Sequence, residues 1–232
     1  MCTVSWLHQD TGYRLLCNRD EKKTRLPALP PQSYWSNGVR YIAPRDGDGG
    51  GTWIATNERG MTLCLLNGAP RRKPFLTARS RGLLIPDLIA SPSLSALRER
   101  VASMNLASYA PFLLAGLEPS SPATLIEWDG LETIAFPDAD SFMPLTSSSF
   151  DPQAVCRRRK AEFARLRHEA GRVDAGLLHR FHSSHEHNAD AYATCMHRPD
   201  AQTVSFTSVQ VSGPNIEFRY WDGPPCTRSI AA

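Results

Sequence analysis

Residues 2–21 read CTVSWLHQDTGYRLLCNRDE, and this stretch bears on fold and chemistry together. Cys2 to Leu7 alternates in polarity, Gln9-Asp10-Thr11-Gly12 is turn-like, and Tyr13 to Cys17 resumes the run, so the chain is expected to open with a β-hairpin. Cysteine at position 2 is small enough to permit removal of Met1, which leaves a thiol and a free α-amine on one residue. An α-amine titrates near about 8, so it can take the thiol proton at neutral pH and later return it to a leaving group. Directly after the second strand come Cys17-Asn18-Arg19-Asp20-Glu21. Arg19 offers a fixed fork of donors and a permanent charge, Asp20 can orient an α-ammonium, and an arginine beside a thiol favours the thiolate. A returning hairpin would bring these groups near Cys2. The same five residues also fit a solvated charged turn.

Outward from the hairpin, Leu26 to Gly51 is rich in Pro, Gly and Ser and is expected to be a long ordered loop. Trp53 to Thr56 and Met61 to Leu66 flank Asn57-Glu58-Arg59-Gly60 as a second hairpin, which ends at Asn67-Gly68. A short helix from Gly82 to Ile89, limited by Pro86, precedes an amphipathic helix capped by Ser91-Pro92 and carrying Leu94, Leu97, Val101 and Met104. Leu125 to Trp128 and Glu132 to Phe136 flank Asp129-Gly130, a strong hairpin signal. Asp151-Pro152 opens a helix to about His168, a second helix runs near Asp174 to Phe181, and strands are expected at Ala193 to His197, Thr203 to Ser212 and Asn215 to Trp221. Hairpins rather than β-α-β crossovers join the strands, which points to an α+β chain of antiparallel sheets covered by helices. With no repeat or composition break, residues 1–232 read as one domain.

The 26 basic and 23 acidic side chains leave a formal charge of only +3, too weak to indicate a nucleic-acid or acidic-membrane partner. No apolar run approaches the roughly 20 residues of a membrane span, so no integral membrane association is expected. No leader-like pattern opens the sequence, and its six cysteines include no C-x-x-C pair. Reduced thiols and a cytoplasmic location are therefore expected. No pattern sets an oligomeric state.

Three other constellations invite chemistry. His182-Ser183-Ser184-His185-Glu186-His187, followed by Cys195 and His197, has the imidazole density of a metal or haem site, but its spacing is not H-E-x-x-H; it reads as a solvated loop, and no metal ligand is assigned. Asp46-Gly47-Asp48-Gly49-Gly50-Gly51 follows a loop and leads into a strand, so it is neither a dinucleotide fingerprint nor an EF-hand, and backbone freedom explains it better. Arg157-Arg158-Arg159-Lys160, with Arg165 and Arg167, reads as a solvated helix face because aromatic interleaving is missing. No cofactor is expected.

Met1-Cys2, Asn18-Arg19-Asp20-Glu21, Gly50-Gly51-Thr52-Trp53-Ile54, Leu65-Leu66-Asn67 and Ser80-Arg81-Gly82 resemble the NRDE family, named for its tetrapeptide and including the transport and Golgi organisation protein 2 group. The resemblance is strongest from residue 1 to about 90. It implies the N-terminal-nucleophile (Ntn) hydrolase superfamily and a four-layer αββα sandwich of two mainly antiparallel sheets. More faintly, Ser147-Ser148, Arg157 to Arg159, Cys195-Met196-His197, Thr203-Val204-Ser205 and Gly223-Pro224-Pro225-Cys226 look like acyl-CoA acyltransferases of that superfamily. Carried over, the resemblance implies Cys2 as nucleophile and Arg19 and Asp20 as positioning groups. It makes Asn67 an oxyanion donor, a role worth roughly 3–4 kcal/mol, and puts Asn18, Glu21 and Trp53 around the substrate, with a structural role in satisfying loop backbone left open for Asn18 and Glu21. The expected activity is that of an amidohydrolase or acyltransferase working on an amide, ester or thioester through an acyl-Cys2 intermediate. The alternative is a non-catalytic protein that binds a small acyl, lipid, acyl-CoA or haem-like ligand, since family members are linked to lipid and haem handling.

Overall fold

The structure, a computed structural model, describes residues 2–71, 79–186 and 188–227. In chain order the elements are β1 (Cys2–Gln9), β2 (Gly12–Lys22), β3 (Leu29–Ser36), β4 (Val39–Arg45), β5 (Ile54–Asn57), β6 (Thr62–Asn67), α1 (Leu84–Leu88), α2 (Leu94–Ser103) and β7 (Phe112–Leu117). Then follow β8 (Thr124–Trp128), β9 (Thr133–Phe136), β10 (Leu145–Thr146), α3 (Pro152–Ala170), α4 (Ala175–His182), β11 (Ala201–Ser212) and β12 (Asn215–Asp222). They form a five-stranded sheet of order β10-β1-β2-β11-β12 and a seven-stranded sheet of order β3-β4-β5-β6-β7-β8-β9. The α+β class with antiparallel sheets is as expected, with four α-helices among the described residues. Internal contacts divide the chain into two units: residues 1–25, 142–211 and 217–232 form the first, and 26–141 with 212–216 the second.

In the first unit the opening hairpin has a register running from Cys2↔Arg19 to Gln9↔Gly12. Strand alternation therefore puts Cys2, Val4 and Trp6 with Leu15, Cys17 and Arg19 on one face, and Thr3, Ser5 and Leu7 with Leu16, Asn18 and Asp20 on the other. The second strand runs five residues beyond Cys17, so the tetrapeptide lies inside β2 and not in a turn after it. Asn18, Arg19 and Asp20 are buried, because protein partners take the place of water around them. β10 pairs with the free edge of β1 through Thr3↔Thr146 and Val4↔Leu145, which makes β1 an interior strand.

Helices α3 and α4 pack by Phe163, Leu166, Leu177, Leu178 and Phe181 on Leu16 and Phe206 of the sheet. Each such apolar side chain contributes about 1.5–3 kcal/mol on burial. Asp151 caps α3 through Ala154 N at 3.1 Å, and Asp174 caps α4 through Leu177 N at 2.8 Å, so both expected helix starts hold. Residues 193–197 are not a strand. Their amides reach back to the preceding loop instead, from Cys195 N to Ser184 O (2.9 Å) and from His197 N to Ala189 O (2.7 Å).

In the second unit the segment expected to be a loop holds the hairpin β3–β4, turned at Asn37-Gly38 with φ of 46° and 75°. Consecutive positive φ values at Asn-Gly are those of the tight primed turns that suit a twisted hairpin. The β5–β6 and β8–β9 hairpins stand where expected, the latter closed by Asp129 Oδ1 accepting from Leu131 and Glu132 amides at 2.8 Å each. Between them runs β7, an apolar strand flanked by β6 and β8. The cap of α2 is Ser93, whose Oγ accepts from Ala96 N at 3.2 Å, and not Ser91, whose hydroxyl donates to Leu88 O. Leu94, Leu97 and Val101 join Leu63, Leu65, Leu114 and Ile126 in this unit's core. Pro86 sits in α1, which a 3-10 turn at 81–83 precedes.

Candidate active site

Cys2 begins an interior strand and is held from both sides. Its backbone N donates to Ser147 Oγ at 3.1 Å, and Ser147 N donates to Cys2 O at 2.9 Å. On the other side Arg19 faces it in the β1–β2 register. The thiol is buried. Cys17 Sγ donates to Asn18 O at 3.7 Å, which leaves its sulfur to accept from Cys2; that hydrogen bond, followed by burial, pushes the Cys2 thiol well above its ordinary range. Arg19 is only 5% exposed and pairs with Glu21 at 3.4 Å on the same strand face, while Glu21 also meets Arg25 at 3.4 Å.

The other two members of the tetrapeptide face the helices. Asp20 Oδ2 takes Arg159 Nη1 and Nη2 at 3.3 Å each, and Asp20 Oδ1 accepts from Thr203 Oγ1 at 2.7 Å. Arg159 is itself 1% exposed and also donates to Thr3 Oγ1 (2.6 Å), Thr146 Oγ1 (3.2 Å) and Ala191 O (3.4 Å). Asn18 Nδ2 donates to His182 O and Thr194 O, both at 2.9 Å. Its Oδ1 is therefore an acceptor, so the 3.0 Å contact to His182 Nδ1 places the imidazole proton there. His182 Nε2 then accepts from Ser5 Oγ at 2.9 Å, and burial holds the ring neutral with a pKa lowered to about 3. Thus Arg19 and Glu21 lie on the side of the Cys2 thiol, while Asn18 and Asp20 tie β2 to α3, α4 and residues 191–203.

The remaining expected site residues belong to the second unit. Trp53 is buried just ahead of β5 and its carbonyl accepts from Leu65 N at 2.8 Å. Asn67 is the last residue of β6, half-buried opposite Phe112. The quoted Gly50-Gly51-Thr52 and Ser80-Arg81-Gly82 motifs meet: a Cβ on Gly51 would lie 2.4 Å from the Gly82 carbonyl carbon, and Thr52 N donates to Gly82 O at 3.0 Å. The preceding glycine run is a closed turn in which Asp46 Oδ1 accepts from Gly49 N at 2.6 Å and Asp46 N donates to Gly51 O at 2.8 Å.

The histidine-rich segment does not behave as one solvated loop. His182 is a core residue, His187 lies outside the described residues, and His185 converges with Cys195, His197 and Cys226, whose ligand atoms all lie within 4.8 Å of one another. All six cysteines are free thiols. The basic face of α3 is likewise mixed: Arg159 is buried, Arg158 stacks 3.9 Å from the Tyr192 ring centroid, and Arg165 pairs with Glu169 and Glu186. No described helix is long and apolar enough to cross a membrane.

The family described as Transport and Golgi organisation 2 matches residues 1–215. The chain belongs to this family. No curated protein matches the sequence. Among solved structures, the family member is similar to a Caenorhabditis elegans ortholog of N-acylethanolamine-hydrolyzing acid amidase, at 12% identity and a TM-score of 0.62, covering 90% of this chain and 92% of the other. It is also similar to the mutant C2A of conjugated bile acid hydrolase from Clostridium perfringens, at 11% identity and a TM-score of 0.54, covering 96% and 92%. A second variant of that hydrolase gives 10% identity and a TM-score of 0.53. These likenesses show the Ntn-hydrolase fold for the family member.

The sequence does not single out Ser147 as the partner of Cys2, nor Arg159, His182 and Thr203 as partners of the tetrapeptide. A signal existed for Arg159, because it occupies the buried stripe Val155, Arg159, Phe163, Leu166 at helical spacing. For Ser147 and Thr203 the faint acyltransferase resemblance is the signal, and no local pattern points to their partners, since each acts across more than 140 residues of chain.

Proposed function

We propose that, once Met1 is removed, this family member is an N-terminal-cysteine amidohydrolase or acyltransferase acting on an amide, ester or thioester. One observation carries the reading: Cys2 opens an interior strand with its backbone N on Ser147 Oγ and Arg19 opposite it. The new α-amine would occupy the position of the present amide N and be oriented by the Ser147 hydroxyl. Because the thiol is held protonated by its hydrogen bond to Cys17 and by burial, attack needs a base. The α-amine takes the thiol proton as sulfur bonds to the carbonyl carbon, then passes it to the departing amine, alcohol or thiol as the old acyl bond breaks. Water or an acceptor amine cleaves the thioester and restores the thiol. Arg19, oriented by Glu21, supplies positive potential on the thiol's side, and Asp20 acts through Arg159 and Thr203 by fixing β2. The fold neighbours named for an amidase and a bile acid hydrolase support an acyl substrate. A single domain over 1–232 and a cytoplasmic location belong to the same proposal.

A second reading, a binding protein that holds a lipid, acyl-CoA or haem-like ligand, draws support from the same buried, protonated thiol. Intact-mass measurement and labelling with a small acyl electrophile separate the two. The catalytic reading expects Met1 absent, one adduct on Cys2, and no acyl turnover in Cys2→Ala. Retained Met1, or adducts confined to Cys17, Cys64 or Cys156, overturns it.

A further inference from the structure

Four side chains far apart in sequence meet near the surface of the first unit: His185 after α4, Cys195 and His197 from the irregular segment before β11, and Cys226 from the closing 3-10 turn. His197 Nε2 lies 3.2 Å from His185 Nε2, 3.5 Å from Cys195 Sγ and 3.3 Å from Cys226 Sγ. An imidazole nitrogen carries one proton or one lone pair, so it serves one hydrogen bond and not three. A shared central ion accounts for all three distances. Zinc bonds of about 2.0–2.1 Å to nitrogen and about 2.3 Å to sulfur put tetrahedron corners about 3.3 Å apart for N···N and about 3.6 Å for N···S. The three edges at His197 Nε2 follow this pattern, and the other three lie within 4.8 Å, so an ion would draw the remaining ligands slightly inward. Two thiolates with two imidazoles is also a donor set that selects zinc over the oxygen-seeking cations.

We infer that His185, Cys195, His197 and Cys226 form a structural tetrahedral zinc(II) site. Four protein ligands close the coordination sphere, so the ion holds structure and leaves no position for substrate. Binding converts both thiols to thiolates and releases their two protons to solvent. The backbone is already shaped for it: Cys195 N and His197 N are tied to Ser184 O and Ala189 O, and Ala189 N donates to His185 O at 3.2 Å. What the ion would secure is the support of the tetrapeptide. Thr194 O accepts from Asn18, and Met196, between the two ligands Cys195 and His197, donates through its amide to Thr203 Oγ1, the hydroxyl that in turn donates to Asp20. The site goes beyond the proposed acyl chemistry and stands whether or not that chemistry occurs.

The test uses the full-length protein, stripped with chelator and reducing agent and then titrated with cobalt(II). The expected result is about one equivalent bound, with thiolate-to-cobalt charge transfer and the intense visible bands of a tetrahedral centre, displaced by zinc. Cys226→Ser, at the half-buried turn, is expected to lose the charge-transfer intensity contributed by one thiolate and at least tenfold in affinity, whereas Cys156→Ser leaves the spectrum unchanged. Zinc is also expected to raise the melting temperature of the wild-type protein and not that of His185→Ala/Cys226→Ser. Wild-type protein without thiolate bands, octahedral cobalt spectra, unchanged binding in folded Cys226→Ser, or a Cys195–Cys226 disulfide that persists in fresh reductant would each overturn the site.

Discussion

Replacing Arg159 with methionine tests whether Asp20 is a framework residue. The substitution keeps an unbranched side chain on α3 but removes every donor that Asp20 Oδ2, Thr3 Oγ1, Thr146 Oγ1 and Ala191 O receive from the guanidinium. Asp20 and Arg159 are each only 1% exposed, so the carboxylate loses its ion-pair partner in a place water does not reach, while the 2.7 Å bond from Thr203 remains. Removing one partner of a buried ion pair costs about 3–5 kcal/mol. For a chain of this size about 1 kcal/mol moves the melting midpoint by roughly 2–4 °C, so a fall of roughly 10 °C is expected. Urea denaturation at neutral pH of wild type, Arg159→Met, Asp20→Asn and the double variant forms a double-mutant cycle. The double variant should be destabilised by less than the sum of the singles, because the neutral amide introduced by Asp20→Asn strands no charge when the guanidinium is gone. An Arg159→Met protein within about 1 kcal/mol of wild type, or strictly additive singles, would refute the assignment of Asp20 to the framework.

His182 is neutral in the fold with its pKa lowered to about 3, against about 6.5 unfolded. The unfolded chain binds the extra proton, so the stabilisation is full above about 6.5 and falls by up to about 1.4 kcal/mol per pH unit between there and about 3. His182→Gln should flatten that acid limb in denaturant titrations at stepped pH. Cys17→Ala removes the sulfur that accepts from Cys2, so the Cys2 thiol pKa should fall and its alkylation at neutral pH quicken; an unchanged rate in folded protein contradicts the Cys2–Cys17 contact. Gly51→Ala drives a methyl group to 2.4 Å from the Gly82 backbone and is expected to cost about 1–3 kcal/mol by thermal or urea unfolding.

The opening and β8–β9 hairpins, the strands β11 and β12, the three longer helices and the family motifs are legible because their signals are local: alternation, the Asp129-Gly130 turn, apolar residues at helical spacing, and the aspartates that cap α3 and α4. The β3–β4 hairpin escaped because β3 is an edge strand with Pro30 and Pro31 in it and mostly exposed side chains, so no apolar alternation marks it. Proline is tolerated there since an edge strand has donors it need not use. Asn37-Gly38 was the signal to weigh. β7 escaped for the opposite reason, as FLLAGL is apolar throughout and its interior position needs no alternation. In the candidate site, adjacency in sequence suggested that Arg19 and Asp20 act together at Cys2. Strand alternation sends them to opposite faces, and which face meets α3 is decided by Arg159, a residue that charge counting assigns to solvent.

The interior position of β1 bears on how the protein should be prepared. With β10 on one side, β2 on the other and the Cys2 nitrogen already committed to Ser147, an affinity tag fused ahead of residue 2 would turn the amine that the proposed chemistry needs into a peptide amide. Substrate screens on such material would return silence for a reason unrelated to substrate. Purification handles therefore belong at the carboxyl end or behind a protease that cuts flush with Cys2.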